Sequence, residues 1–281
     1  MNDIYVILVF VLFAGGIIYL KLRFPTIFLT PSSDDEYDPG VILPLQGKNA
    51  EIEQILETEM YFFRTLTDEQ KKEFIKRVLR FNYSTCFYPQ NGFKLEMRHV
   101  VLISATFVQI TFGLRISVLD NLNQIKIFPA HYLDPRTKRQ YKGEVDINGM
   151  ICLSWEDFEI GLRDSTDGRN VGLHELAHAF AIEIIEKDTH YSDLLMTLKP
   201  VFLRAKAEII HPEHRHNLLR EYGYSNMHEY FAVSSELFFE RPDYLANSGS
   251  PLYKELCDVY HQNPFEQYQA YEMRKASENK A

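Results

Sequence analysis

The chain has 281 residues, 46% of them hydrophobic and 25% charged, a composition that excludes a disordered chain and supports a sizeable core. Its formal net charge is −9 and no Lys/Arg run exceeds two residues outside Arg136 to Arg139, which argues against nucleic acid as a partner. The three cysteines, Cys86, Cys152 and Cys257, are odd in number, widely spaced and without a CxxC pair; they exclude a disulfide framework and fit free thiols in a reducing compartment.

The first segment differs from the rest. Ile4 to Leu20 is apolar apart from Tyr and Gly, and Lys21 and Arg23 follow at once. These seventeen residues span about 26 Å as a helix, at about 1.5 Å each, close to the hydrocarbon thickness of a bilayer. A cleaved signal peptide would carry positive charge before the run and a small-x-small site after it. Asn2 and Asp3 precede the run and Lys21-Leu22-Arg23-Phe24 follow it, so residues 1–24 read as an uncleaved transmembrane anchor. The basic residues on its C-terminal side point the remainder of the chain to the cytoplasm. Residues 25–47, with Pro, Ser and the acidic run Asp34-Asp35-Glu36, read as a tether. Residues 48–281 then form the folded domain.

Helical periodicity begins near Ala50, with Ile52, Ile55, Leu56, Met60 and Phe63 on one apolar face. Thr67-Asp68-Glu69-Gln70 is a capping box and opens a second helix to about Phe81. Arg98 to Gly113 is apolar enough for a buried helix, although it is rich in β-branched residues. Ile125 to Phe128 alternates as a weak strand. Glu144 to Ile147 and Met150 to Leu153 flank Asn148-Gly149, a two-residue hairpin signal. Ser154, with Asp157 three residues on, starts a short helix. Asp167-Gly168 is a turn, and Asn170 caps the next helix. Helical patterns then run to about Arg274.

That next helix carries His174-Glu175-Leu176-Ala177-His178, an H-E-x-x-H motif. Residues four apart share a helix face, so both imidazoles can reach one ion at about 2.0–2.1 Å. Glu175 is rotated about 100° from His174, beside an open position where it can take a proton from an activated water. With ten His in the chain, such a motif also arises by chance in roughly a few per cent of sequences. A catalytic site needs a third protein ligand. His211-Pro212-Glu213-His214-Arg215-His216 offers clustered side chains, but Pro212 and the charges suggest an exposed loop. The segment from Ser225 to Glu236 reads as a capped, buried helix carrying Glu229 and Glu236 seven apart on one face. Either carboxylate would complete a His2Glu set, and composition does not choose between them. A structural zinc site would instead be closed by four Cys or His ligands.

A family resemblance is carried by Leu153-Ser154-Trp155-Glu156-Asp157, Asp167-Gly168-Arg169-Asn170-Val171 and Leu173 to His178. It continues through Tyr222-Gly223, Glu229 to Phe239, Pro251-Leu252-Tyr253 and Tyr260 to Pro264. Over roughly residues 50 to 265 the sequence resembles the Mlc titration factor family of zinc-dependent peptidases, whose catalytic core is similar to that of anthrax lethal factor. The resemblance implies Zn2+ held by His174, His178 and Glu229, with Glu175 as general base. It also implies that Tyr222, seven residues before Glu229, points into the site, where a phenol can hydrogen-bond a developing oxyanion. The fold expected is α+β, a mostly helical zincin-like metallopeptidase domain with a small sheet, preceded by the anchor. The expected reaction is hydrolysis of a peptide or protein substrate. Proteins of this resemblance also titrate a transcriptional repressor, so a membrane-tethered binding protein with weak hydrolysis is the second expectation. Two departures bear on the substrate cleft: Arg169 stands where the family usually has His, and Phe180-Ala181 where it usually has Leu-Asp. The anchor is an addition to the family's usual soluble form.

Overall fold

The computed structural model describes residues 40–278, apart from 121, 134–137, 146–149 and 187–190. The expected anchor, most of the tether, Arg136 and the Asn148-Gly149 turn lie outside the described residues. Among the described residues no helix is long and apolar enough to cross a membrane. Residues 40–47 lie against the domain: Val41 bridges Phe87 and Leu45 is buried.

The architecture is α+β, mostly helical with a small sheet. The first apolar face is carried by two helices rather than one. α1 (Asn49–Glu59) ends at Met60, whose backbone is extended, and α2 (Tyr61–Thr65) restarts beyond it. Ile52, Leu56, Phe62 and Phe63 are all buried by the change of direction. α3 (Asp68–Ser84) opens on the predicted capping box. In it the Gln70 N–H donates to Thr67 Oγ1 at 3.4 Å and the Thr67 N–H to Gln70 Oε1 at 2.9 Å. α4 (Met97–Thr111) is buried throughout from Val100 to Thr111. Its β-branched residues are tolerated because burial outweighs the small cost in helix propensity. The last carbonyl of α4 and those of the segment that follows it are closed by Arg77 from α3. Its guanidinium donates to the Thr111 carbonyl at 2.7 Å and the Phe112 carbonyl at 2.8 Å, and also to the Leu114 and Ile116 carbonyls.

The sheet is larger than the predicted hairpin. Its order is β1 (Cys86–Pro89), β2 (Gln124–Phe128), β6 (Met150–Ser154), β5 (Gly143–Val145). The first three strands are parallel and β5 is an antiparallel edge. A separate two-stranded ribbon pairs β3 (Tyr132–Leu133) with β4 (Gln140–Tyr141). The hairpin register differs from the expectation. A two-residue loop would set Ile147 against Met150, and hence Val145 against Cys152. Val145 instead faces Ile151, and Glu144 faces Cys152. A one-residue slip exchanges the two faces of a strand, and the observed register sets Val145 opposite the buried Ile151, where it packs against the core.

The second half is helical: α5 (Trp155–Arg163), α6 (Val171–Glu186), α7 (Ser192–Ile210), α8 (Met227–Glu240), α9 (Pro242–Ala246), α10 (Leu252–Tyr260) and α11 (Pro264–Glu278). Short 3-10 turns at Pro212–His214 and Glu221–Tyr224 precede α8. Ser154 caps α5 as predicted, accepting from the Asp157 N–H at 3.3 Å. α6 lies against α5 at Gly172, where a Cβ would stand 2.4 Å from the Phe158 ring. Leu173, Leu176, Ala177 and Phe180 bury the rest of its inward surface. No disulfide joins Cys86, Cys152 and Cys257.

Removing the Arg77 guanidinium takes the side-chain donor from the carbonyls of Phe112, Leu114 and Ile116, while the Thr111 carbonyl keeps the Leu114 N–H. Arg77→Met is expected to destabilise the protein by at least ~2 kcal/mol, the scale of buried acceptors left unmade. Urea unfolding followed by circular dichroism measures it, and a loss under ~0.5 kcal/mol would show that water satisfies those carbonyls.

Candidate metal centre

α6 and α8 pack together and carry the candidate residues. The Asn170 side chain fixes the start of α6: its Oδ1 accepts from the Leu173 N–H at 3.0 Å. Asn226 does the same for α8, accepting from the N–H groups of His228 and Glu229 at 2.9 and 3.0 Å. Glu229 therefore sits in the first turn, where the helix dipole favours a carboxylate.

Three side chains converge between the helices. His174 Nε2 and His178 Nε2 are 3.2 Å apart. Glu229 Oε2 is 3.0 Å from the first and 3.5 Å from the second. Among the described residues, His174, His178 and Glu229 are the group able to hold a metal ion. The His211 to His216 cluster does not join it; His211, His214 and His216 are exposed.

The two carboxylates that sequence left as alternatives take opposite sides of one imidazole. Glu236 Oε1 accepts from His174 Nδ1 at 2.7 Å, on the side away from Glu229. Glu236 is only 1% exposed and is fully engaged. Arg220 donates to Oε1 at 2.6 Å and to Oε2 at 3.2 Å, and the Asn170 N–H donates to Oε2 at 2.7 Å. This is the arrangement by which a carboxylate behind a metal-binding histidine sets its tautomer and ring angle. Arg220 and the second role of Asn170 were not legible beforehand, because nothing local marks a residue whose partner is 16 or 66 positions away.

The electrostatics suit a cation. Burial opposes the charged form of His174, but Glu229 and Glu236 outweigh it and push its pKa up to about 10. Burial pushes Glu229 up, and the two imidazoles outweigh that and hold it well below the usual carboxylate range. His178 is lowered by burial. Despite the short distances, Glu229 Oε2 is buried with no aligned hydrogen bond. A buried carboxylate oxygen without a donor, facing two imidazole nitrogens, fits a bound divalent ion. The donor set of two nitrogens and one oxygen leaves a further coordination position open.

Glu175 is buried beside this group. Burial drives its pKa up to about 8, with His174 opposing and Glu229 adding to the rise. Its side chain lies over Gly143 in the edge strand β5, where a Cβ would stand 2.5 Å from Glu175 Cγ. Any larger residue there would displace the carboxyl group, a constraint no sequence signal announces. Tyr222, on the turn before α8, is half-exposed with its ring centroid 6.1 Å from that of His174. Burial and then Glu229 raise its pKa, so the phenol stays protonated. These groups open on a cleft of about 640 Å3 lined by Gly143, His174, Glu175 and Tyr222, with Lys142 and Arg169 among its cations.

The profile of a family described as the glucose-regulated metallo-peptidase M90 matches residues 42–261. Mlc titration factor A of Escherichia fergusonii is 27% identical over 223 residues, covering 71% of this chain and 82% of the relative. Mlc titration factor A of Escherichia coli strain K12 is 26% identical over 229 residues, covering 72% and 82%.

The geometry separates the two carboxylates experimentally. Glu229→Ala is expected to lose most bound metal. Glu236→Ala is expected to keep the site but weaken it by roughly 10–100-fold, the usual effect of deleting the group behind a ligand. His174 carries a proton at neutral pH without metal, so binding expels it and apparent affinity should rise roughly tenfold per pH unit there. Chelator competition on the full chain reads all three. A full site in Glu229→Ala with an empty one in Glu236→Ala would reverse the assignment.

Proposed function

This chain belongs to the glucose-regulated metallo-peptidase M90 family, and we propose that it hydrolyses peptide bonds with zinc held by His174, His178 and Glu229. The observation that carries this reading is the buried Glu175 carboxyl beside the His-His-Glu group, at the wall of an open cleft. Binding alone would need no such base.

When bound, zinc supplies the positive charge that acidifies a water and polarises the scissile carbonyl. Glu175 takes the proton of the attacking water and hands it to the leaving amine. A nearby cation favours its carboxylate form over the neutral form that burial favours. Tyr222, held protonated, donates a hydrogen bond to the oxyanion. The β5 edge lies beside Glu175 at Gly143, so an extended substrate can run along that edge. His174 is kept from turning by Glu236, which also fixes which nitrogen faces the cleft.

The names of the relatives favour a second, compatible reading. Mlc titration factor A is named for titrating Mlc, and this chain would bind a transcriptional repressor of that kind while retaining weaker hydrolysis. The apolar run Ile4 to Leu20 and the basic Lys21 and Arg23 support a membrane-anchored protein with its catalytic domain in the cytoplasm.

Glu175→Gln is expected to keep its metal and lose about 10²–10⁴-fold in turnover, because the amide cannot accept a proton. Tyr222→Phe should fold, hold metal and lose about 10²–10³-fold. Both are read with a peptide-library substrate alongside metal content. Turnover within threefold of wild type in Glu175→Gln would end the general-base role of Glu175, and no turnover by the wild type would end the hydrolytic reading and leave repressor binding.

For location, the full chain is expected in the membrane fraction, with the catalytic domain protected from protease in intact spheroplasts and digested after lysis. Digestion from outside, with a cytoplasmic control protein intact, would reverse the orientation.

A further inference from the structure

Tyr222 stands half-exposed on a turn that is otherwise anchored in the domain. Leu219 and Tyr224, before and after it, are buried, and the Arg215 guanidinium lies over the Tyr224 ring at 4.1 Å. The backbone of the turn closes on itself. The Gly223 N–H donates to the Arg220 carbonyl at 2.8 Å, and the Ser225 N–H to the Tyr222 carbonyl at 3.1 Å. The path of the main chain is thus held without the side chain of Arg220 or of Tyr222. The direction of the phenol is a separate matter, because a tyrosine on a fixed backbone keeps its choice of χ1 rotamers.

Among the described residues, an imidazole and a guanidinium flank that ring. The His174 ring is inclined to it by 35° at the centroid distance given above, and Arg220 Cζ lies over it, 6.0 Å from the centroid. Both neighbours end on the same carboxylate. Glu236 Oε1 accepts from His174 Nδ1 and from Arg220 Nη2, and its Oε2 from Arg220 Nη1. A further bond, from Arg220 Nη1 to the Gly168 carbonyl at 3.2 Å, fixes the guanidinium plane against the turn before α6. A planar cation held along its edge keeps a face for an aromatic ring. Its charge also acts on the hydroxyl: burial and Glu229 raise the Tyr222 pKa, and Arg220 opposes them, which keeps the phenol a stronger donor.

We propose that Arg220 is a positioning residue for Tyr222, carrying to the phenol the orientation that Glu236 imposes on His174, so that one buried carboxylate aligns both a metal ligand and the oxyanion donor. This rests on the hydrolytic role given to Tyr222 above. The arrangement needs arginine. A lysine at this position would keep a positive charge beside Glu236, but its ammonium has neither the fork that matches two carboxylate oxygens nor a flat face for the ring. Arg220→Lys therefore separates the two duties: it leaves the buried carboxylate its counter-charge and releases the phenol.

The test uses the full chain in detergent and has two arms. In the first, 3-fluorotyrosine replaces Tyr222 alone, and its fluorine resonance is recorded without metal. A line displaced from that of free fluorotyrosine is expected, moving toward the free position in Arg220→Lys while circular dichroism shows the fold retained. In the second, turnover of a peptide-library substrate is measured at saturating zinc. Arg220→Lys is expected to lower kcat by roughly tenfold or more, since a misplaced donor loses much of what it contributes, with KM little changed. In a Tyr222→Phe background the same substitution should cost less than about threefold, because no hydroxyl is left to position. An equal loss in both backgrounds would make Arg220 a servant of the metal ligand alone and overturn the proposal, as would a fluorine line that does not move. A wild type without turnover would end the hydrolytic reading instead, and the fluorine line would still decide whether Arg220 holds Tyr222.

Discussion

The link on which the centre depends is the buried hydrogen bond between Glu236 and His174 Nδ1, at 2.7 Å. An imidazole on a helix can rotate, and either nitrogen can carry its proton. Glu236 removes both freedoms. Burying a carboxylate is costly unless it is paired and hydrogen-bonded, and here the Arg220 guanidinium and the Asn170 N–H complete the shell. Glu236 and those partners come from three different parts of the chain. The same bonds that orient His174 therefore fasten the start of α6, the turn before α8 and α8 itself to one another.

Glu229, Glu236 and Glu240 lie along one side of α8 and meet three different environments. Glu229 stands between two imidazoles, which hold it ionised. Glu236 is enclosed by donors. Glu240 accepts from Asn170 Nδ2 at 3.0 Å with its other oxygen unpartnered, and burial pushes it up to about 8. Identical side chains thus become a candidate ligand, an orienting group and a neutral acid, according to burial and neighbours. Asn170 joins the last two, because its backbone serves Glu236 while its amide serves Glu240 and its carbonyl oxygen caps α6.

The sheet contributes shape rather than ligands. Strand β5 brings Gly143 against Glu175, and the absence of a Cβ leaves the carboxyl its room. The hairpin register matters for this reason. The observed pairing sets Gly143 opposite the buried Leu153, so the edge strand is held at a defined height beside α6.

Much of the molecule was legible from local pattern. The capping box at Thr67, the caps at Ser154 and Asn170 and the buried α4 follow from short-range rules, since a cap and its N–H groups lie within three residues. The H-E-x-x-H spacing by itself puts two imidazoles on one helical face. Other features required the folded chain. Met60 divides the first helix because the chain must turn to bury Phe62 and Phe63, which periodicity cannot report. Strand β1 and the ribbon of β3 and β4 are too short to carry a pattern. Glu229 and Glu236 are both carboxylates on the same face of the same helix, and sequence has no term that distinguishes them. Only the packing of α8 across α6 decides that one meets Nε2 of His174 and the other Nδ1. That choice is one of distance between residues 55 and 62 positions apart, and it exists only once the helices are in contact.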